Sequence, residues 1–265
     1  MKVWFYNAHR AVLPELIAKF DNIVFLGKTH GLLKNIKEED KFICFWNDEE
    51  TLNVLKQLQN EVFPSKEIIF NFAEGREKMT RFVEQYSKFS IKRDYVNVVG
   101  TAEVMVPKLP NSLKVVAKVG GDHKGDNKFC LYPGQKLMVK DSVIFEEFIE
   151  NGQSIRILLI GNKPYVVEYY DDPDNPRMPE NDWIKNINPI IKVRKDVSGY
   201  EDLIEDTINM SKIMNYDYLA VDYVRNKDKT AALELNIYPG LTEDEEVRNE
   251  AKKYWINKVN ELIEP

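Results

Sequence analysis

Three polar residues near the C-terminus have the types and spacing of a site for a hard cation. Along Ala231–Leu241 the side chains alternate. Leu233, Leu235 and Ile237 fall on one face of an extended strand, and Glu234 and Asn236 fall on the other. The carboxylate and the amide stand roughly 7 Å apart by strand rise. Pro239-Gly240 then ends the strand. Upstream, Tyr218–Val224 reads as a second strand carrying Asp222, with Arg225–Lys229 as the polar turn between the two. Such a hairpin sets Asp222 opposite Leu233 or Glu234, depending on register. Only the second register brings the two carboxylates together on one face. Two carboxylates and an amide oxygen converging there suit Mg²⁺. The plain alternative is a hairpin with a solvated polar face.

The same chain carries cations in apolar settings. Lys118 is embedded near the end of the run Val115-Val116-Ala117-Lys118-Val119, and a desolvated ammonium needs an anionic partner. Gly120-Gly121-Asp122-His123-Lys124-Gly125-Asp126-Asn127-Lys128 follows directly, and its glycines would let backbone N–H groups approach phosphates. Read alone, that stretch is an exposed turn. Arg156 lies among aliphatic residues in Ser154–Ile160, and its fixed fork suits phosphate or carboxylate. Pairing with Glu168 or Glu147 at a strand edge is the alternative. Lys78 lies near the start of a helix, where a solvated lysine is the ordinary reading.

These residues need elements to hold them. The 265 residues suffice for one large or two modest domains, and the net charge of −6 argues against a general nucleic-acid binder. Cys44 and Cys130 lie in apolar runs and read as buried thiols of a reducing compartment. His9, His30 and His123 lack zinc spacing. The N-terminal apolar run is too short for a signal peptide, and no run nears the roughly 20 apolar residues of a membrane span. A cytoplasmic protein without membrane contact is expected.

In chain order, Lys2–Tyr6, Asn22–Leu26, Lys41–Trp46 and Glu67–Phe72 read as strands, with helices over Leu13–Phe20 and Asp48–Asn60. This alternation predicts a small parallel α/β unit without a phosphate-binding glycine fingerprint. Glu74–Phe89 is a helix with Met79, Phe82, Val83 and Tyr86 on its apolar face. From Tyr95 short β-prone runs follow one another up to Val143–Ile149. The segment 171–182, punctuated by prolines, is a polar loop. Glu201–Asn215 and Thr242–Ile263 are amphipathic helices, the second with Thr242 and Glu245 in capping-box positions.

The order of these pieces resembles the ATP-grasp superfamily, in particular its ribosomal-protein glutamate ligase branch, with a synapsin-like glycine loop. The resemblance covers roughly Glu77 to Leu241. It implies an α/β protein: an N-terminal α/β domain with a linking helix (1–94), a lid subdomain (95–150) and a C-terminal domain with the metal site (151–265). The two ATP-grasp lobes would be α+β in character, with antiparallel sheets. By the same resemblance, Lys78 and Lys118 contact phosphates. Gly121, His123, Lys124 and Gly125 belong to a loop closing over ATP. Glu146, Glu147, Phe148 and Ile149 grip adenine, and Gln153 or Ser154 approaches the ribose. Asn186 precedes the metal strands. Asp222, Glu234 and Asn236 hold Mg²⁺, with Mn²⁺ as an alternative, and Arg156 faces the transferred phosphate. Three features depart from the family pattern. The loop has fewer glycines than in many relatives, and Ser154 stands where an acid is frequent. The basic residues that usually follow the Arg156 strand are thin, with Arg177 and Lys185 as candidates.

The implied activity is ATP-dependent ligation of a carboxylate to an amine through an acylphosphate, with Arg156 and Lys118 as catalytic residues. An amino acid, a peptide or a protein terminus would serve as substrate, and the family's frequent dimers make a homodimer an expectation. The absence of a serine, cysteine or histidine constellation agrees with chemistry that needs no side-chain nucleophile. Small-molecule kinase activity and nucleotide binding without turnover are the alternatives.

Overall fold

The computed structural model of the chain describes residues 2–6, 19–20, 23–26, 36–44, 49–73, 76–110, 112–120, 127–174 and 189–263. Strands β1 (Val3–Tyr6), β2 (Ile23–Leu26) and β3 (Lys41–Cys44), helix α1 (Glu49–Gln57) and strand β4 (Val62–Phe63) come first. The strands pair in parallel in the order β2-β1-β3-β4, the α/β unit expected from the sequence. Trp4, Phe42, Cys44, Leu55 and Ile69 form its core. Cys44 is buried as expected, whereas Cys130 is only half-buried; among the described residues neither is in a disulfide.

The strand expected over Glu67–Phe72 is instead helix α2 (Lys66–Ala73). Ile68 and Ile69 are buried, Phe70 is half-buried and Asn71 is exposed. A short apolar run serves a one-sided core in either conformation, so its periodicity does not choose between them. The start of the helix does: Ser65 Oγ accepts the Ile68 N–H at 3.4 Å, an N-cap contact. Helix α3 (Arg76–Tyr86) follows, burying Met79 and Val83 and packing along the last strand of the chain.

Strands β5 (Arg93–Val96), β6 (Ala102–Met105), β7 (Val115–Val119), β8 (Lys128–Leu131), β9 (Lys136–Val139) and β10 (Val143–Glu147) form two antiparallel layers. One is a sheet in the order β5-β10-β7-β8, the other a β6-β9 ribbon. Val104, Val106, Val115, Ala117, Val139 and Phe145 fill the space between them.

The rest comprises β11 (Gln153–Ile160), β12 (Lys163–Asp171), β13 (Pro189–Arg194), α4 (Glu201–Met214), β14 (Tyr218–Arg225), β15 (Thr230–Asn236) and α5 (Glu245–Ile263). The strands make one antiparallel sheet in the order β13-β12-β11-β14-β15. Helix α4 packs on β11 and β14 and stops at Asn215, whose φ of 51° lies in the left-handed region. On the face that carries Arg156 and Asp222, Tyr254 and Trp255 of α5 pack against Tyr218, with ring centroids 5.2 and 4.9 Å away. That helix covers the Tyr218 end of the face. At the other end Arg156 and Asp222 keep side chains 23% exposed, and this is where the candidate site lies. Among the described residues, no helix is long and apolar enough to cross a membrane.

Candidate nucleotide and metal site

The β14–β15 hairpin adopts the register that brings its acids together. Asp222 is the ladder partner of Glu234, and Ala220 that of Asn236, with a bulge between Asp222 and Tyr223. Asn236 Nδ2 donates to Asp222 Oδ2 at 3.3 Å. On the other side of β14, Arg156 is also a ladder partner of Asp222. Its Nε and Nη2 donate to the two carboxylate oxygens at 2.6 and 2.9 Å. Burial works against the guanidinium charge, but Asp222 outweighs it and raises the Arg156 pKa. Tyr169 lies beside this pair, 5.9 Å from the guanidinium, and burial pushes its phenol up to about 12. Among the described residues, no three His, Cys, Asp or Glu side chains converge on one point. The donor set is two carboxylates and an amide oxygen. This chemistry fits Mg²⁺, which takes few protein oxygens and keeps several waters.

Facing the hairpin is a cluster of buried charge on the β5-β10-β7-β8 sheet. Lys118 Nζ lies 2.6 Å from Glu146 Oε1, and Arg93 Nε lies 3.4 Å from Glu146 Oε2. All three side chains are at most 4% exposed. Burial alone would raise the Glu146 carboxyl, but Lys118 and Arg93 hold it below the usual glutamate value. Lys128 is the ladder partner of Lys118. Burial lowers its pKa, and the charges of Lys118 and Arg76 add to that, while Glu234 and Glu146 oppose it. Arg76 is itself buried, and its Nη1 donates to the Gly120 carbonyl at 3.4 Å. Four cations thus gather around two carboxylates, Glu146 and Glu234. Such a surplus calls for an anion.

The ends of the glycine-rich loop are tied down. Val119 N–H donates to Asn127 O, and Gly120 N–H to Ser142 O, both at 2.9 Å. Gly120 has φ +64°, a conformation that glycine adopts without strain. Gly121, His123, Lys124, Gly125 and Asn186 lie outside the described residues, as do Arg177 and Lys185. In the segment Glu146–Ile149, Glu147 pairs with Lys229 of the hairpin turn. The Phe148 N–H donates to Ser112 Oγ at 3.2 Å and Lys114 O at 3.3 Å. Ile149 packs with Ile91 and Ala231. The chain then turns at Gly152, where a Cβ would stand 2.2 Å from Val224 Cγ2, so no larger residue fits. Ser154 comes next, between Val224 and Tyr169 in the ladders. Lys78 is half-buried on α3, two residues beyond Arg76.

No family model and no curated protein matches the sequence. Solved structures do match over nearly the whole chain. D-alanyl-alanine synthetase A from Vibrio cholerae superposes with a TM-score of 0.64 at 9% identity, covering 99% of this chain and 98% of its own. D-alanine–D-alanine ligase from Bacillus anthracis gives 0.59 at 14%, covering 99% and 96%. The RiPP-associated ATP-grasp ligase from Chryseobacterium gregarium, solved with ADP and a leader and core peptide, gives 0.57 at 13%, covering 97% of each chain. The chain has the ATP-grasp fold.

On this ATP-grasp scaffold the carboxylate pair and the lysine pair belong to different sheets, and the fold makes them neighbours. Arg76 and Arg93 escaped the sequence reading; Lys229 entered it only as a turn residue, and Lys128 only as a loop end and the start of a β-prone run. Arg93 sits in Ile91-Lys92-Arg93-Asp94-Tyr95, where polar neighbours give no hint of burial. Lys128 had a usable signal. It opens an alternating strand across a short loop from Lys118, so the two lysines share a face.

Proposed function

We propose that this chain is an ATP- and Mg²⁺-dependent ligase that joins a carboxylate to an amine through an acylphosphate. The reading is carried by Lys118 and Lys128, a like-charge pair, the first buried and the second half-buried, with Lys128 within electrostatic reach of Glu234, whose ladder partner is Asp222. A polyphosphate would satisfy the lysines, and a divalent cation held by the acids would satisfy the carboxylates. The fold relatives support it. The Bacillus anthracis ligase has been solved with ATP, and the ATP-grasp ligase PsnB with Mg and ADP.

In this reading the segment 146–149 holds adenine. Lys118, Lys128 and Lys78 bind the phosphates, and the 121–125 loop closes over them as part of a lid spanning 95–150. Asp222, Glu234 and Asn236 would hold Mg²⁺, which would supply charge screening for the phosphates. A substrate carboxylate oxygen attacks the γ-phosphorus and ADP leaves. An amine nitrogen then attacks the acyl carbon, its proton is lost to solvent, and phosphate departs. Arg156, the ladder neighbour of Asp222, stabilises the oxyanion formed in that step. An amino acid or a peptide is the acceptor class, as the peptide-bound Chryseobacterium structure suggests.

The test is a screen of amino acids and peptides for stimulated ADP and phosphate release, with mass spectrometry of the products. The expected result is a condensed product of substrate mass minus water, formed with one ADP and one phosphate. A phosphorylated acceptor as the final product overturns the ligase reading in favour of a kinase. Tight ATP binding without turnover overturns it in favour of a nucleotide-binding protein.

A further inference from the structure

Arg93 is a buried guanidinium that spans two parts of the site. It leaves β5 on the face it shares with its ladder partner Glu146. Its Nε donates to Glu146 Oε2 at 3.4 Å, and the other oxygen of that carboxylate receives Lys118 Nζ at 2.6 Å. Its Nη2 donates to the carbonyls of Ala232 at 2.7 Å and Leu233 at 3.4 Å, the two residues before Glu234. A single series of contacts therefore runs from Lys118 through Glu146 and Arg93 to the main chain beside Glu234. One end stands on β7 and the other on β15, in different sheets.

The arrangement is a poor way to gain stability. Nη1 is buried and has no hydrogen-bond partner among the described residues, and an unmade buried hydrogen bond is costly. Buried ion pairs are often no better than apolar packing of the same volume. What the guanidinium does supply is rigidity. Its donors are fixed in one plane, so a contact at each end sets the distance between the groups they hold.

We propose that Arg93 is a positioning residue that sets the separation between the phosphate-binding Lys118 and the metal-binding Glu234. The inference rests on the function proposed above. Arg93 touches neither nucleotide nor metal; it acts on Lys118 through Glu146, and on Glu234 through the carbonyls of Ala232 and Leu233. A lysine at this position keeps the charge beside Glu146 but lacks the planar fork.

The experiment compares the wild type with Arg93→Lys, Arg93→Met, Lys118→Met and the double variant Arg93→Lys/Lys118→Met. Mg²⁺-ATP affinity is measured by calorimetry, ADP release by a coupled assay, and Tm by thermal unfolding. Arg93→Lys is expected to weaken Mg²⁺-ATP binding about 10-fold, as loss of a supporting contact does at metal sites. The double variant is expected to bind no more weakly than Lys118→Met alone, because both changes break the same series of contacts. A lowered Tm with unchanged Mg²⁺-ATP affinity makes Arg93 purely structural and overturns the proposal, and so do fully additive losses. If Arg93→Met does not fold, the charge-keeping Arg93→Lys decides. A wild type that does not bind Mg²⁺-ATP overturns the functional reading and this inference together. A wild type that binds, with Arg93 variants that bind equally well, overturns the inference alone.

Discussion

Lys118 and Lys128 stand directly opposite one another in the antiparallel ladder of β7 and β8. Like charges so placed destabilise a sheet, and burial holds the Lys128 pKa below the usual lysine value. The pair is therefore a cost that a bound anion removes. Lys128→Met is expected to stabilise the free protein by about 1 kcal/mol, the scale of a cross-strand charge pair. The same change should weaken ATP binding about tenfold, as loss of a charge-assisted contact does. Thermal unfolding with and without Mg²⁺-ATP reads both effects. A variant destabilised when free and unimpaired in binding would remove Lys128 from the site.

A divalent cation at Asp222 would compete with Arg156, because both oxygens of the carboxylate accept bonds from the guanidinium. Arg156→Met should tighten Mg²⁺ binding in the absence of nucleotide by a few-fold and still lower turnover by about 100-fold, the scale for an oxyanion donor. Mg²⁺ titration of the free protein, beside a turnover assay, checks the opposite signs. Weaker Mg²⁺ binding in the variant would mean that the guanidinium orients Asp222 for the metal rather than competing with it.

Glu234 and Asn236 are partly exposed, so the fold should tolerate their removal. The double change Glu234→Ala and Asn236→Ala is expected to abolish Mg²⁺-dependent turnover with Tm within a few degrees of the wild type. Turnover that persists would show the polar face of the hairpin to be structural.

Glu146 predicts a pH dependence. Its folded pKa is lowered, since Lys118 and Arg93 outweigh burial. Its contribution to stability is then complete above the ordinary glutamate value of about 4.3 and is lost as pH falls through the depressed folded value. Glu146→Gln should cost about 3 kcal/mol near pH 7, because two buried cations lose their counter-charge. The variant should also lose less stability than the wild type on acidification below about pH 4. Denaturant midpoints measured across that range decide it; parallel curves would assign the acid sensitivity to other carboxylates.

The sequence by itself determined the parts of the candidate site whose local context is unusual. Lys118 is legible because apolar residues flank it, and Glu234 and Asn236 because alternation in the strand puts them on one face. The parallel N-terminal sheet was legible from strands alternating with helices. Tertiary structure decided the rest. Helix α2 was hidden because a short apolar run fits either period, and its cap settles the matter. The register of Asp222 against Glu234, open in the sequence, was chosen when the chain bulged after Asp222. Arg93 had no local signal at all, since its partners lie 53 and 139 residues away along the chain. Alternation and apolar context act over a few residues and can be read in order. The pairing of a buried charge depends on which strands the core brings side by side, and only the folded chain specifies that.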